Sequence, residues 1–149
     1  MLRKIICLML AAVMICFCFG SCSSGKKEES NSSSELDPNV PTIVIPDLPM
    51  SINAFDGTII VQHLAINSDF DSSKRSVTGT FSMKLESSQN GSASICKVNY
   101  TILNENGVTV DAGTIGKDTK NVGEAYSGEF TISGVFAGKK YTMKLFGNQ

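Results

Sequence analysis

The chain has 149 residues, which is the length of one ordinary domain. Its formal net charge is −1, so it does not offer the strongly basic surface by which proteins recognise nucleic-acid phosphates. It contains one histidine, His63, which excludes a histidine pair for zinc and the usual triad of serine, histidine and carboxylate. We therefore expect no nucleic-acid partner, no cofactor and no catalytic residues.

The first 21 residues have the pattern of a bacterial export signal. Arg3 and Lys4 give a positive start, and an uncharged, mostly apolar run over 5–20 ends in the small residues Gly20 and Ser21. A membrane-spanning helix needs about 20 apolar residues; this run is shorter, but the uncharged residues 21–25 extend it, so length alone does not decide between a signal peptide and a membrane anchor. We predict that residues 1–21 are a signal peptide, with an uncleaved anchor and a soluble secreted protein as the alternatives.

The end of this run resembles the lipobox of bacterial lipoproteins, with the sequence Phe19-Gly20-Ser21-Cys22. It departs from the family at Phe19, where an aliphatic residue is usual. The resemblance implies cleavage before Cys22 and attachment of lipid to that cysteine. A chain so modified would be extracytoplasmic and anchored to the bacterial cell membrane, or to the outer membrane if the source has one. Its membrane contact would be the lipid, because buried acyl chains contribute about 0.8 kcal/mol per methylene.

Two segments of unusual composition separate Cys22 from the rest of the chain. Residues 22–38 are rich in serine and charge, and we predict that they form a disordered tether. Residues 39–50 hold most of the prolines and enclose the β-prone run 42–45. Proline favours extended backbone and is tolerated in edge strands, so this segment is predicted to be a stiff spacer or an edge strand. The remaining residues, 51–149, are predicted to form one domain.

Residues 76–85 and 95–102 alternate in period two, which predicts strands that are each buried on one side. The inward set is Val77, Gly79, Phe81, Met83 and Leu85 in the first run, and Cys96, Val98, Tyr100 and Ile102 in the second. The second run is followed by Asn106-Gly107, the strongest short hairpin signal.

Further strands are predicted at 108–115, 126–132 and 139–146. Residues 58–67 are also predicted to form a strand, although apolar side chains fall on both of its faces. Short strands at this spacing, with no helical period, indicate an all-β fold: an immunoglobulin-like antiparallel β-sandwich of about seven strands.

Part of this region resembles the FxLYD-type domains of bacterial lipoproteins. Tyr100, Ile102, Leu103 and Asn104 take the places of the motif's Phe, Leu, Tyr and Asp. Such domains are immunoglobulin-like and carry no known catalytic residues. The resemblance therefore implies an immunoglobulin-like fold in a bacterial lipoprotein, and it does not imply an enzymatic activity.

A calcium loop is one hypothesis for the oxygen-bearing side chains at alternate positions, Asn67, Asp69 and Asp71. The glycine and the glutamate that an EF-hand needs later in its loop are here Ser72 and Thr78, which favours a polar hairpin loop instead. Cys96 is predicted to be a buried, inert thiol. The strand aromatics are predicted to be core residues: Phe81, Tyr100, Phe130 and Tyr141.

Two classes of function fit these features. The favoured one is a non-catalytic module that binds another envelope component or has a structural role there. The alternative is a small envelope hydrolase, or an inhibitor of one, that acts through its loops.

Overall fold

A computed structural model describes residues 37–147. They form eight strands, which we number in chain order: β1 Thr42–Val44, β2 Met50–Ala54, β3 Gly57–Asp71, β4 Ser76–Ser88, β5 Ala93–Asn104, β6 Thr109–Asn121, β7 Ala125–Ser133 and β8 Lys140–Phe146. Sheet I has the order β1-β8-β5-β6, and sheet II has the order β2-β3-β4-β7. The prediction of an all-β sandwich is confirmed.

Every described strand pair is antiparallel except β1 with β8, which run parallel. The orders β3-β4-β7 and β8-β5-β6 follow strands A-B-E and F-C-C′ of an immunoglobulin sandwich. Tyr141 lies at the start of β8, and its hydroxyl accepts a hydrogen bond from the Phe136 N–H at 3.0 Å. This matches the tyrosine corner that begins strand F in such sandwiches.

The proline-rich segment is an edge strand rather than a spacer. The Thr42 N–H donates to the Lys139 carbonyl at 2.9 Å, and Ile43 and Ile45 pack against the core. An edge position suits this segment because a proline N–H is missing from the ladder. β2 was not predicted, although Ile52 and Ala54 alternate inward and are buried.

The predicted Asn-Gly turn joins β5 to β6, but it has four residues between the strands rather than two. Of its two named residues, only Gly107 has positive φ, at 74°. The side-chain oxygen of Asn104 accepts the N–H groups of Asn106 and Val108, at 3.0 and 2.9 Å. The sequence therefore located the turn, and the asparagine that ends β5 determines its shape.

The core is closed by aromatic rings that lie over glycines of neighbouring strands. Three cross-strand pairs show this arrangement: Gly79 with Phe130, Gly128 with Phe81, and Gly113 with Tyr100. A Cβ built on these glycines would lie 2.5, 2.9 and 2.9 Å from the nearest atom of the paired ring, so any side chain would displace the ring. The Tyr100 and Phe130 ring centroids are 5.8 Å apart, which joins the two sheets.

Phe81→Ala should destabilise the sandwich by about 3–5 kcal/mol, because it empties a buried ring site between Tyr126 and Phe130. Lys84→Ala, on the outward side of the same strand, should change stability by less than about 0.5 kcal/mol. Urea unfolding of both variants measures the difference. Equal midpoints would show that the register of β4 is wrong.

Candidate functional site

The residues singled out from the sequence are spread over the chain rather than gathered in one site. Cys22 lies outside the described residues. His63 is exposed on β3. Cys96 is fully buried, as predicted, and burial raises the pKa of its thiol. Of the predicted core aromatics, Phe81, Tyr100 and Tyr141 are buried, while Phe130 is partly buried against the core.

The calcium candidates lie at the end of β3, which continues to Asp71, so the predicted hairpin loop begins only after that residue. The Asn67 amide donates to the Thr78 hydroxyl at 2.9 Å. One carboxylate oxygen of Asp71 accepts the Ser73 hydroxyl and the N–H groups of Ser73 and Lys74. These bonds lower the Asp71 pKa to about 2, the Ser73 hydroxyl being the main cause.

The other oxygen of Asp71 lies 3.2 Å from the Lys74 ammonium. Both of its oxygens therefore have partners within the turn. Residues 37–147 contain no group of three or more His, Cys, Asp or Glu side chains that could hold a metal ion.

A polar cluster lies at the opposite end of the sandwich, where β2 turns into β3. The Asp56 carboxylate accepts hydrogen bonds from the Ser94 hydroxyl and, at 2.7 Å, from the Asn90 amide. These bonds lower the Asp56 pKa, the Ser94 hydroxyl being the main cause. The cluster ties the β2–β3 turn to the start of β5.

A second polar cluster closes the open side between β6 and β7. The Tyr100 hydroxyl donates to the Thr131 carbonyl at 3.1 Å, and it lies 3.3 Å from an Asp111 oxygen. That oxygen also accepts the Ser133 N–H at 3.0 Å. Burial, with the nearby Asp111 charge, raises the pKa of Tyr100 to about 12. The phenol therefore stays neutral, and its hydrogen bond to the Thr131 carbonyl connects sheet I to sheet II.

The feature that best fits a binding site is a groove of about 770 Å³ at one end of sheet II. It lies between the chain entering β1 and the adjoining ends of β3, β4 and β7. Most of the residues that line it are of polar types: Asn39, Val40, Ser68, Asp69, Phe70, Asp71, Lys74, Ser76, Thr78 and Thr131. Two of the calcium candidates, Asp69 and Asp71, are thus groove residues.

The groove continues onto the outer surface of sheet II, part of which we call the hydroxyl face. It consists of the outward side chains of β4 and β7. Cross-strand neighbours on it are mostly paired hydroxyls: Ser76 with Ser133, Thr78 with Thr131, and Ser82 with Ser127. Such a surface can donate and accept hydrogen bonds along its length.

A smaller groove, of about 260 Å³, lies at the same end of the sandwich, between the β5–β6 turn and the β7–β8 loop. Phe136 lines it with its side chain half exposed. The Arg75 guanidinium stacks 5.1 Å from the centre of that ring. The loop is fixed by the Val135 N–H, which donates to the Arg75 carbonyl at 3.1 Å, and by the bond from Phe136 to Tyr141.

Comparison with protein-family models, with curated proteins and with solved structures finds no match to the chain. The two resemblances noted from the sequence therefore remain predictions. Within residues 37–147 there is no helix long and apolar enough to cross a membrane.

Acid should weaken the fold through the Asp71 turn. A carboxyl whose pKa falls on folding stabilises the native state above its ordinary value of 3.8, and this contribution is lost as the pH falls towards about 2. Asp71→Asn should therefore flatten the pH dependence of stability in that range. Ser73→Ala, which removes the main cause of the shift, should flatten it in part.

Urea unfolding at a series of pH values measures this effect. An Asp71→Asn variant with the slope of the unaltered chain would show that the carboxylate does not make these bonds in solution.

Proposed function

We propose that this chain is an extracytoplasmic lipoprotein of a bacterial envelope, anchored through lipid on Cys22. Its sandwich is a non-catalytic module that binds another envelope component in the groove of sheet II. The anchor is supported by the sequence Phe19-Gly20-Ser21-Cys22 at the end of an apolar run. The binding role is supported by the groove.

The observation that carries the proposal is that part of the polar lining of the groove, at Asp71 and Thr78, is held by hydrogen bonds within the chain. Asp71 is fixed by its turn, where one carboxylate oxygen accepts the Ser73 hydroxyl and the Lys74 N–H. Asn67, beside the groove, holds the hydroxyl of Thr78. Groups already ordered lose little entropy on binding, which is how a small polar surface gains affinity.

The chemistry of the groove favours a polar partner held by hydrogen bonds. Three hydroxyl side chains from two strands converge there: Ser76, Thr78 and Thr131. The carboxylate of Asp69 is exposed at the rim. The side chain of Phe70 also lines the groove; it is apolar, partly buried and packed against the core.

Cys22→Ala should release the protein from membranes or leave its signal uncleaved, because the lipidated thiol is lost. Fractionation of cells, with the mature mass measured by mass spectrometry, tests this. Cys96→Ala is the matched control and should remain in the membrane fraction. A Cys22→Ala protein of mature size that still sediments with membranes would refute lipidation at this residue.

A photo-crosslinking amino acid at Thr131 should capture an envelope component in living cells, because this side chain lines the groove. The same group at Ser127, on the same outward side of β7 but outside the groove, is the matched control. The product should disappear when Asp69→Lys is added. No product at Thr131, or the same product at both positions, would refute binding in the groove.

A further inference from the structure

The outer surface of sheet I differs in chemistry from the hydroxyl face. We call it the lysine face and define it by the outward side chains of β1, β8 and β5. On β8 these are Lys140, Thr142, Lys144 and Phe146, which alternate with the inward residues Tyr141 and Met143. Register places Val44 and Leu103 on either side of Thr142, and Thr101 beside Lys144.

The lysine face carries an excess of positive charge. Its third lysine, Lys97, is paired with Asp118 of the neighbouring strand β6. Within residues 37–147, Lys140 and Lys144 take part in no ion pair. One carboxylate, Glu105, lies at the rim, in the β5–β6 turn. It lines, with both lysines, a third groove of about 380 Å³ that lies on this face.

Two exposed apolar side chains accompany these lysines: Val44, opposite Thr142, lies between the positions of Lys140 and Lys144, and Phe146 follows Lys144 on β8. Val44 is 42% exposed and Phe146 is 44% exposed, and both belong to strands of sheet I. The hydroxyl face, by contrast, carries charges of both signs, with Lys84 and Glu129 on adjacent strands. A surface that combines lysines with exposed apolar groups has the chemistry that binds the interface of an anionic bilayer.

The chain enters the sandwich at one edge of this face, where residues 39 and 40 also line the groove of sheet II. β1 is the outermost strand of sheet I. Just before it, the Val40 carbonyl accepts the Gly138 N–H at 3.0 Å, next to the start of β8. Residue 37 follows Cys22 by only 15 positions in the sequence. This step rests on the lipid anchor of the proposed function.

We propose that the lysine face lies against the surface of an anionic phospholipid bilayer. The sandwich then rests with sheet I towards the membrane, and the hydroxyl face and its groove point into the envelope. The anchor fixes the distance of the domain from the bilayer, and the lysine face fixes its orientation.

Two lysines alone are too few for tight binding. Each lysine near an anionic surface changes the binding constant about fivefold, so the pair favours the docked orientation by at most about 25-fold, and the Glu105 carboxylate at the rim reduces this factor. That factor is small for a free protein, but an anchored domain already lies at a high effective concentration beside the bilayer. Orientation is therefore the property that the two lysines control.

The test couples the thiol of Cys22 in the chain 22–149 to a maleimide lipid in vesicles. Cys96 is fully buried, so coupling is specific. The chain has no tryptophan, so Phe146→Trp reports on the lysine face and Ser127→Trp on the hydroxyl face. In phosphatidylglycerol vesicles, brominated lipids should quench the tryptophan at 146 and spare the one at 127. In phosphatidylcholine vesicles the two should be quenched equally.

The double variant Lys140→Gln and Lys144→Gln should abolish the preference in phosphatidylglycerol, as should high salt. Lys84→Gln with Lys117→Gln, at an exposed lysine of β6 that lies over the Tyr126 ring of β7, removes the same charge elsewhere and should leave the preference intact. Equal quenching of both reporters in phosphatidylglycerol, or stronger quenching at 127, would overturn the proposal and leave an acidic protein as the partner of this face. Chemical coupling replaces the cellular lipid, so this outcome is independent of whether Cys22 is lipidated in cells.

Discussion

The sandwich depends on the packing of aromatic rings against the backbone of glycine residues. Phe81, Phe130 and Tyr100 each lie over a glycine of the adjacent strand, at positions where a methyl group would overlap the ring. Because each ring lies close to the backbone, rings from both sheets pack in one layer of the core. This packing fills space that would otherwise be a cavity. Each of these rings therefore requires a glycine at the opposite position of the neighbouring strand. This requirement also fixes the register of β4 with β7 and of β5 with β6.

Because this core uses only the inward side of each strand, the outer surfaces are free to differ. The polar clusters around Asp56 and Asp111 tie turns and edges together, and no buried side-chain polar atom in residues 37–147 lacks a hydrogen-bond partner. Neither outer face is therefore needed for packing. One presents paired hydroxyls and a groove, and the other presents lysines with apolar neighbours. In the proposed lipoprotein, the hydroxyl face and its groove bind the partner, and the lysine face orients the domain on the bilayer.

Strand β3 shows where sequence patterns fail. Ile59 and Val61 face inward at odd positions, while Leu64 and Ile66 face inward at even positions. The register shifts between Val61 and His63, so one extra residue is inserted opposite β4. A bulge of this kind changes which side of the strand is buried. In the sequence, this change appears as apolar side chains on both faces.

The sequence by itself determined the fold class, the inward residues of β4 and β5 and the position of the β5–β6 turn. Each of these follows from contacts within one strand or one turn, where alternation and Asn104 act locally. Only the tertiary structure decided that β1 pairs with β8 and that Asp69 and Asp71 share a groove with Thr131. It also decided that the lysines of β8 stand beside Val44. These features join residues far apart in the chain, and which of them meet depends on how the two sheets are ordered and packed, which no local pattern encodes.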